Sequence, residues 1–436
     1  MYGGWAVYIG RCEDMLPYVK DESVAIVFSS PPYNIGKAYE PVRQPGVFPA
    51  GFSHVPVHLH RVLRRGGWLF WQVGNHVSDG TVAPLDLHYH DEFLRAGFVY
   101  RRRLVWAYGH GMHCTHRFSG RYEVVLCYSK GDATVAQDGF LPGEYFTGVL
   151  HIPNVKNNHP EKNDHPCSFP VELVQRAVLS CSAPGETVMD VYGGSGSTAV
   201  AAVLCGRRGV CIEQDSIYVH IARTRLAKAD TNTLRTRVLG TDIPGGTPPL
   251  PPCFAAVPAR FTGRASLIMA RADSAITLFA IALVYSDINV AVVCSGDDAR
   301  ILSAEAYVYH QLVAIGFIFF NRIVVSPGAG PYWTLLCFRR GNAPFNLDAV
   351  RVPQKYPGKK SSRTGLPSCN PLGKNPTDFW PVAAVGATYW GVSATALETA
   401  VCALSDPGDT VFWVGACGAG DKYAPAAHAR RARCVT

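Results

Sequence analysis

A stretch rich in proline and glycine near the middle of the chain most constrains how it can fold. Between Thr231 and Arg264 stand Pro244, Gly245, Gly246, Pro248, Pro249, Pro251, Pro252 and Pro258. Proline fixes φ and removes a backbone donor, so neither a helix nor a central strand runs through this stretch. The 436 residues are therefore expected to form an N-terminal domain over 1–232, a linker over 233–262 and a C-terminal domain over 263–436. Four short echoes keep the same order on the two sides. Ile9-Gly-Arg-Cys-Glu-Asp14 is echoed by Met269-Ala-Arg-Ala-Asp273, and Gly97-Phe-Val-Tyr-Arg-Arg-Arg103 by Gly316-Phe-Ile-Phe-Phe-Asn-Arg322. Val124-Val-Leu-Cys-Tyr128 is echoed by Thr334-Leu-Leu-Cys-Phe338, and Pro184-Gly-Glu-Thr-Val188 by Pro407-Gly-Asp-Thr-Val411. The shared order points to a duplication; two α/β domains alike only in strand and turn composition are the alternative.

The N-terminal half alternates. Apolar, β-branched runs at Val24–Ser29, Trp68–Val73, Leu104–Ala107, Val124–Tyr128, Thr187–Val191 and Gly209–Ile212 read as strands. Helical patterns lie at Phe52–Leu63, Pro170–Ser180, Ser197–Leu204 and Ser216–Leu226. Strands alternating with helices imply an α/β fold, a doubly wound, mostly parallel sheet with its site at the carboxyl ends of the strands. Composition limits the class further: with 48% hydrophobic and 17% charged residues, the chain is globular, and a formal charge of +8 permits a polyanionic partner without requiring one. The 14 cysteines form no CxxC pair, and Met1–Tyr8 carries no signal-peptide pattern, so reduced thiols in an intracellular compartment, cytoplasm or nucleus, are expected. The longest apolar stretch, Ala275–Val293, is broken by Ser286, Asp287 and Asn289, and no membrane span is expected. His110, His113, Cys114 and His116 match no zinc spacing, so no metal is expected.

Two motifs carry chemistry. At the end of the first strand run, Ser29-Ser30-Pro31-Pro32-Tyr33-Asn34-Ile35-Gly36-Lys37 sets an extended Pro-Pro turn that exposes Ser30 and proline carbonyls. An aromatic amine is a poor nucleophile because its lone pair is delocalised, and two acceptors, the Ser30 hydroxyl and the Pro31 carbonyl, would hold both its hydrogens. Tyr33 would stack on the base, which must leave the duplex to reach the turn. The tetrapeptide by itself reads equally as a structural turn capping a strand. The second motif, Asp190-Val-Tyr192-Gly-Gly194-Ser195-Gly196-Ser-Thr-Ala199, is a strand, a glycine turn and a helix start, with Glu213 after the next strand to take two ribose hydroxyls. By itself it also fits a dinucleotide fingerprint and an NAD-linked enzyme; the Ser-Pro-Pro-Tyr turn favours an adenosyl donor.

Together these residues resemble the β class of DNA amino-methyltransferases that use S-adenosylmethionine. Trp71-Gln-Val-Gly-Asn75, Arg117-Phe-Ser-Gly-Arg121-Tyr-Glu123, Asn154-Val-Lys-Asn-Asn-His-Pro160 and His165-Pro-Cys-Ser-Phe169-Pro-Val-Glu172 extend the resemblance over most of residues 6–228. It implies a Rossmann-like methyltransferase sheet. It also implies transfer of a methyl group to an exocyclic amine of a flipped base in DNA, with cytosine N4 favoured and adenine N6 a close second. Ser30, Pro31, Pro32 and Tyr33 would be catalytic, and Asp190, Tyr192, Gly194, Ser195, Gly196, Glu213 and Phe169 would bind the cofactor. Lys37, Arg117 and Arg121 would contact DNA, the region Thr81–Phe146 would read the target, and a restriction-modification setting follows. The family's Gly-Asp near the domain start is replaced by Gly10-Arg11-Cys12, with Asp14 as a candidate substitute; a DNA-binding protein without catalysis is the alternative this raises.

The C-terminal half has no Ser-Pro-Pro-Tyr, and its glycine turn reads Trp413-Val-Gly-Ala-Cys-Gly-Ala-Gly420, so it reads as a degenerate α/β copy binding no cofactor. Its block from Arg339 to Lys374 holds Arg339, Arg340, Arg351, Lys355, Lys359, Lys360, Arg363 and Lys374 against Asp348, which suits a phosphate backbone. Arg351, Lys355, Lys359 and Lys360 would clamp DNA, and the two halves would form an intramolecular pseudo-dimer.

Overall fold

The structure, a computed structural model, describes residues 4–34, 36–37, 40–41, 43, 47–48, 51–78, 81–108, 117–136, 139–140, 144–156, 158–229, 265–271, 288–294, 298–326, 332–341, 343, 345, 379–381, 388–389, 392–404, 410–414 and 432–435. The expected linker, the His110–His116 cluster and the basic residues Arg351, Lys355, Lys359 and Lys360 lie outside the described residues. The chain forms two compact units: Met1–His76, Pro84–His110 and Tyr122–Pro244 make the first, and Val77–Ala83, Gly111–Arg121 and Gly245–Thr436 the second. No helix among the described residues is long and apolar enough to cross a membrane.

The first unit is built on one sheet. Its strands are β1 (Trp5–Ile9), β2 (Val24–Ser29), β3 (Leu63–Val73), β6 (Val99–Ala107), β7 (Tyr122–Ser129), β8 (Val149–His151), β9 (Thr187–Asp190) and β10 (Arg208–Glu213), while β4 (Asn75–Ser78) and β5 (Thr81–Pro84), which include the Val77–Ala83 segment assigned to the second unit, pair only with each other. They lie in the order β1-β10-β9-β2-β3-β7-β6-β8. All run the same way except β7, which is antiparallel to both neighbours. The helices are α1 (Cys12–Met15), α2 (His54–Val62), α3 (Leu85–Arg95), α4 (Glu144–Thr147), α5 (Val171–Cys181), α6 (Ser197–Leu204) and α7 (Ser216–Lys228). Every residue of β2 is buried, as a parallel strand covered on both faces must be, and this is why it reads as an unbroken apolar run. Ile26 and Phe28 of β2 share a core with Trp68 and Phe70 of β3, Val188 of β9 and the alanines of α6. Strand β1 and helix α3 were not expected. The α3 sequence mixes four charged residues and two histidines into its apolar period, yet Asp86 and His90 are buried there.

The second unit repeats the design. Strands β11 (Ala265–Arg271), β12 (Ile288–Cys294), β13 (Ile318–Ser326), β14 (Trp333–Arg340), β15 (Phe379–Pro381), β18 (Thr410–Val414) and β19 (Ala432–Val435) form one sheet, while β16 (Thr388–Tyr389) and β17 (Val392–Ser393) pair separately. Its helices are α8 (Asp298–Ala314) and α9 (Ala394–Leu404). The order β19-β18-β11-β12-β14-β13-β15 is that of β10-β9-β2-β3-β7-β6-β8, with the same strand directions throughout. Even the irregularity recurs: the pairing shifts between Tyr100 and Arg102 in one sheet and between Phe319 and Asn321 in the other. One echo is corrected by this topology. Strand β11, which contains Met269, sits between β18 and β12, the place of β2 in the first unit and not that of β1, so Met269–Asp273 does not correspond to Ile9–Asp14.

Both sheets are braced by a buried ion pair at the same spacing. Arg103 of β6 reaches Asp86 of α3 at 3.0 Å, and Arg322 of β13 reaches Glu305 of α8 at 3.5 Å; each pair is 17 residues apart and almost wholly buried. Removing one partner leaves the other charged and unpaired in the interior, which costs about 3–5 kcal/mol. Asp86→Ala should lower the denaturant midpoint of the first unit accordingly, and Asp86→Leu combined with Arg103→Met should recover most of the loss. A single variant as stable as the wild type would show that the pair is dispensable.

Candidate active site

The carboxyl ends of β2, β3, β9 and β10 open onto one cavity of about 390 Å³, within the range of about 300–1,000 Å³ that holds cofactor-sized ligands. Its wall is drawn from both sequence motifs: Ser30, Pro31, Pro32, Tyr33 and Lys37 on one side, Tyr192, Gly194, Ser195 and Glu213 on the other, with Phe169 between.

One buried carboxylate joins the two sides. Asp190, at the end of β9, accepts from Ser29 Oγ at 2.6 Å, from the Tyr192 amide at 3.0 Å and from Thr198 Oγ1 at 2.8 Å. Burial raises its carboxyl to about 6 against these three stabilising bonds. Asp190 does not itself line the cavity; it ties together the ends of β2 and β9, from which the two lining turns start. Gly196 also lies off the cavity. Its φ of +80° and the 2.9 Å from an added Cβ to the Ala222 side chain make it the close-packing position between α6 and α7. Gly194, with φ of +47°, does face the cavity, and a Cβ there would come within 3.0 Å of His165 Nε2.

The glycine turn is held from outside by Arg225 of α7, which donates to the Ser195 carbonyl at 2.8 Å, Ser195 Oγ at 3.0 Å and Ser197 Oγ at 3.1 Å. Ser168 and Ser195 share a further bond of 2.8 Å between their hydroxyls. Glu213 takes the Gly194 amide on Oε2 at 2.7 Å and the Asp215 amide on Oε1 at 2.8 Å, and burial raises its pKa. Each oxygen keeps a second acceptor site, so the chemistry of this wall fits a diol. His165, pushed down to about 4 by burial and nearby cations, packs its ring edge-on at 4.4 Å from Tyr218 and is neutral at pH 7. The acidic residue nearest the Gly10-Arg11-Cys12 turn that lines the cavity is Glu13, paired with Arg11 at 3.5 Å; Asp14 does not line it.

On the other side, Asn34 adopts φ of +56° and donates to the Pro32 carbonyl at 3.5 Å, fixing the Pro-Pro turn. The Tyr33 hydroxyl donates to Glu123 Oε2 at 3.2 Å and accepts from Gln72 Nε2 at 3.0 Å, and Lys37 Nζ sits 5.1 Å from the centre of its ring. Arg117 and Arg121 do not join this group; they belong to the 111–121 segment of the second unit and turn their guanidinium groups to the neighbouring Phe118 and Gly120 carbonyls. Sequence reading gave no role to Gln72, Glu123, Arg225 or Tyr218. Its place at the end of the family-like Arg117–Glu123 segment, as a lone carboxylate heading the apolar strand Tyr122–Ser129, was the available signal for Glu123.

A family model described as DNA methylase, of the N6/N4 methyltransferase group, matches residues 24–224. The type II methyltransferase M.BglII of Bacillus subtilis is 32% identical over 241 residues, covering 50% of this chain and 67% of that protein. The DNA adenine methyltransferase YhdJ of Escherichia coli K12 is 28% identical over 240 residues, covering 48% and 79%. Among solved structures, the PvuII DNA methyltransferase, described as cytosine-N4-specific, matches with a TM-score of 0.43 and 18% identity, over 51% of this chain and 88% of that one.

Because Asp190 has its carboxyl raised in the folded state, it contributes stability that is present below the ordinary value of about 3.9 and lost as pH rises through the folded value. Relative to Asp190→Asn, which does not titrate, the wild type should therefore gain stability as pH falls from about 7 to about 4. Paired denaturation curves across that range measure the difference, and a difference that moves the other way would mean the three donors outweigh burial.

Proposed function

The chain belongs to the DNA methylase family of amino-methyltransferases, and from that premise we propose that its first unit transfers a methyl group from S-adenosylmethionine to the exocyclic amine of a base flipped out of DNA. The observation that carries this reading is that the Ser30–Tyr33 turn and the Tyr192–Ser195 turn line the same cavity. Bound there, S-adenosylmethionine would supply an electrophilic methyl on a sulfonium. Glu213 would accept the ribose hydroxyls on the open sides of its two oxygens, while Gly194 leaves room for the ligand beside neutral His165 and Phe169 closes the far end. Neutral His165 adds no positive charge against a cationic donor.

Ser30 Oγ and the Pro31 carbonyl would accept the two amine hydrogens, holding the nitrogen lone pair in line with the methyl carbon. The Tyr33 ring would stack on the base, displacing Lys37, whose ammonium is then free for a phosphate. Cytosine N4 is favoured by Ser at the first position of the turn. Adenine N6 stands close behind, and the name of the similar Escherichia coli protein, an adenine methyltransferase, supports that second choice. The second unit, with its matching strand order and recurrent shift, is read as a degenerate copy that contributes to holding DNA in an intramolecular pseudo-dimer.

Transfer of tritiated methyl to mixed-sequence DNA should occur with the wild type and fall by at least about 100-fold with Ser30→Ala, the scale on which a single positioned acceptor acts. Digestion of the product to nucleosides should yield N4-methyl-2′-deoxycytidine. N6-methyl-2′-deoxyadenosine instead would reverse the choice of base, and absence of any transfer would favour a DNA-binding protein without catalysis.

A further inference from the structure

The polar side chains beside the Ser30 turn form a chain with one direction. The Ser30 hydroxyl favours the ionised form of Tyr33, as a donor aimed at the phenolic oxygen does, Tyr33 donates to Glu123 Oε2 at 3.2 Å, and Gln72 Nε2 donates both to Tyr33 at 3.0 Å and to the same Glu123 oxygen. Gln72 has no proton to pass on under ordinary conditions, so the hydroxyls alone make a path, and the path ends on a carboxylate. We propose, resting on the methyl-transfer reading above, that Glu123 is the terminal proton acceptor of a Ser30–Tyr33–Glu123 relay that takes up the proton released when the target amine is methylated.

The balance is simple. The amine nitrogen forms a bond to the methyl carbon as the carbon–sulfur bond breaks, its electron pair staying on sulfur, and the nitrogen is left with one proton too many. That proton passes to Ser30 Oγ while the Ser30 proton passes to the Tyr33 oxygen and the Tyr33 proton to Glu123, leaving a neutral carboxyl and a neutral methylamino base. Glu123 then returns the proton to solvent through the cavity that it lines. Its burial, which raises its pKa, makes this carboxyl a better proton holder than an exposed one.

An independent observation separates this role from a structural one. In the first sheet Cys127 pairs with Phe70 and Arg102, and in the second Cys337 pairs with Ala291 and Asn321. Counting along the strands from these partners, Gln72 corresponds to Val293 and Glu123 to Trp333, both buried in the second core. The same sheet therefore forms with apolar residues at both positions. The polar pair is present in the unit that has Ser-Pro-Pro-Tyr and absent from the unit that lacks it.

Glu123→Gln, Tyr33→Phe and the double variant test the relay in single-turnover methylation of DNA. Each single variant should slow the transfer by about 10–100-fold, with binding of S-adenosylhomocysteine and of DNA within about twofold of wild type, and the double variant should be no slower than the worse single one. The wild-type rate should fall on the acid side as Glu123 protonates, at a pH above the ordinary carboxylate range, and Glu123→Gln should lose that limb. The charged groups that face Glu123 are Lys37 from the turn and Lys156 from the 152–156 segment, with Tyr33 and, beyond it, Tyr108 as the other titrating neighbours; Lys37→Met should therefore move the limb to higher pH. Infrared spectra of the whole chain without DNA give a readout apart from turnover: a protonated-carboxyl band titrating above the ordinary range, missing in Glu123→Gln and shifted in Tyr33→Phe. Wild-type rates in either single variant, additive losses in the double, or no such band overturns the relay. A wild type that transfers no methyl overturns the reading beneath it, and the infrared titration then still decides whether Glu123 holds a proton sensed by Tyr33.

Discussion

The site depends on one buried carboxylate. Strands β2 and β9 are neighbours, and each ends in a turn that enters the cavity; Asp190 ties those two ends together through Ser29, Thr198 and the Tyr192 amide. Burying a carboxylate without partners costs several kcal/mol, and hydrogen bonds to a charged acceptor return about 1.5–3 kcal/mol each. Three donors therefore make the burial tolerable and also fix where Ser30 and Gly194 stand relative to each other. A reaction that needs an amine and a methyl carbon aligned to within fractions of an ångström gains more from that fixed spacing than from any additional ligand contact. Arg225 plays the matching part on the outer side of the glycine turn, so the turn is held from below and from behind while its open face stays free.

How much of this could be read from the chain follows from where each interaction lies in sequence. The central strands were legible because a strand buried on both faces is apolar along nearly its whole length, as Val24–Phe28 is before the polar Ser29 that bonds Asp190. Helix α6 was legible because the glycine turn before it marks its start. Strand β1 was not: it forms the sheet edge, Trp5, Tyr8 and Ile9 stay exposed, and no alternation results. Helix α3 was missed because Asp86 and His90 face inward, where Arg103 and Tyr128 satisfy them, and a single sequence does not announce such partners. In the site, the contiguous motifs were recognisable, but the side of each turn that faces the cavity was not, and Asp190 and Gly196 do not line it. Glu123 and Gln72 stood within segments that carried the resemblance but received no role, because their partner Tyr33 is 90 and 39 residues away.

The two units sort their residues by what each requirement demands. A sheet of this order needs its strand shift, its buried acid–arginine brace and the left-handed glycine before the braced strand, and these occur in both: Gly97 at φ +92° and Gly316 at φ +90° each turn the chain out of a helix and into the strand carrying Arg103 or Arg322. The brace even tolerates a change of acid, from Asp86 to Glu305, because the longer side chain still reaches a guanidinium across the same 17-residue spacing. The polar group around Tyr33 has no such counterpart. Polar side chains in a strand core cost desolvation that their partners must offset, so where the Ser-Pro-Pro-Tyr turn is absent, apolar residues such as Val293 and Trp333 are the more stable occupants. The buried acid–arginine brace is common to both sheets, whereas the Gln72–Glu123 pair occurs only in the sheet that carries Ser-Pro-Pro-Tyr, and there it faces the cavity.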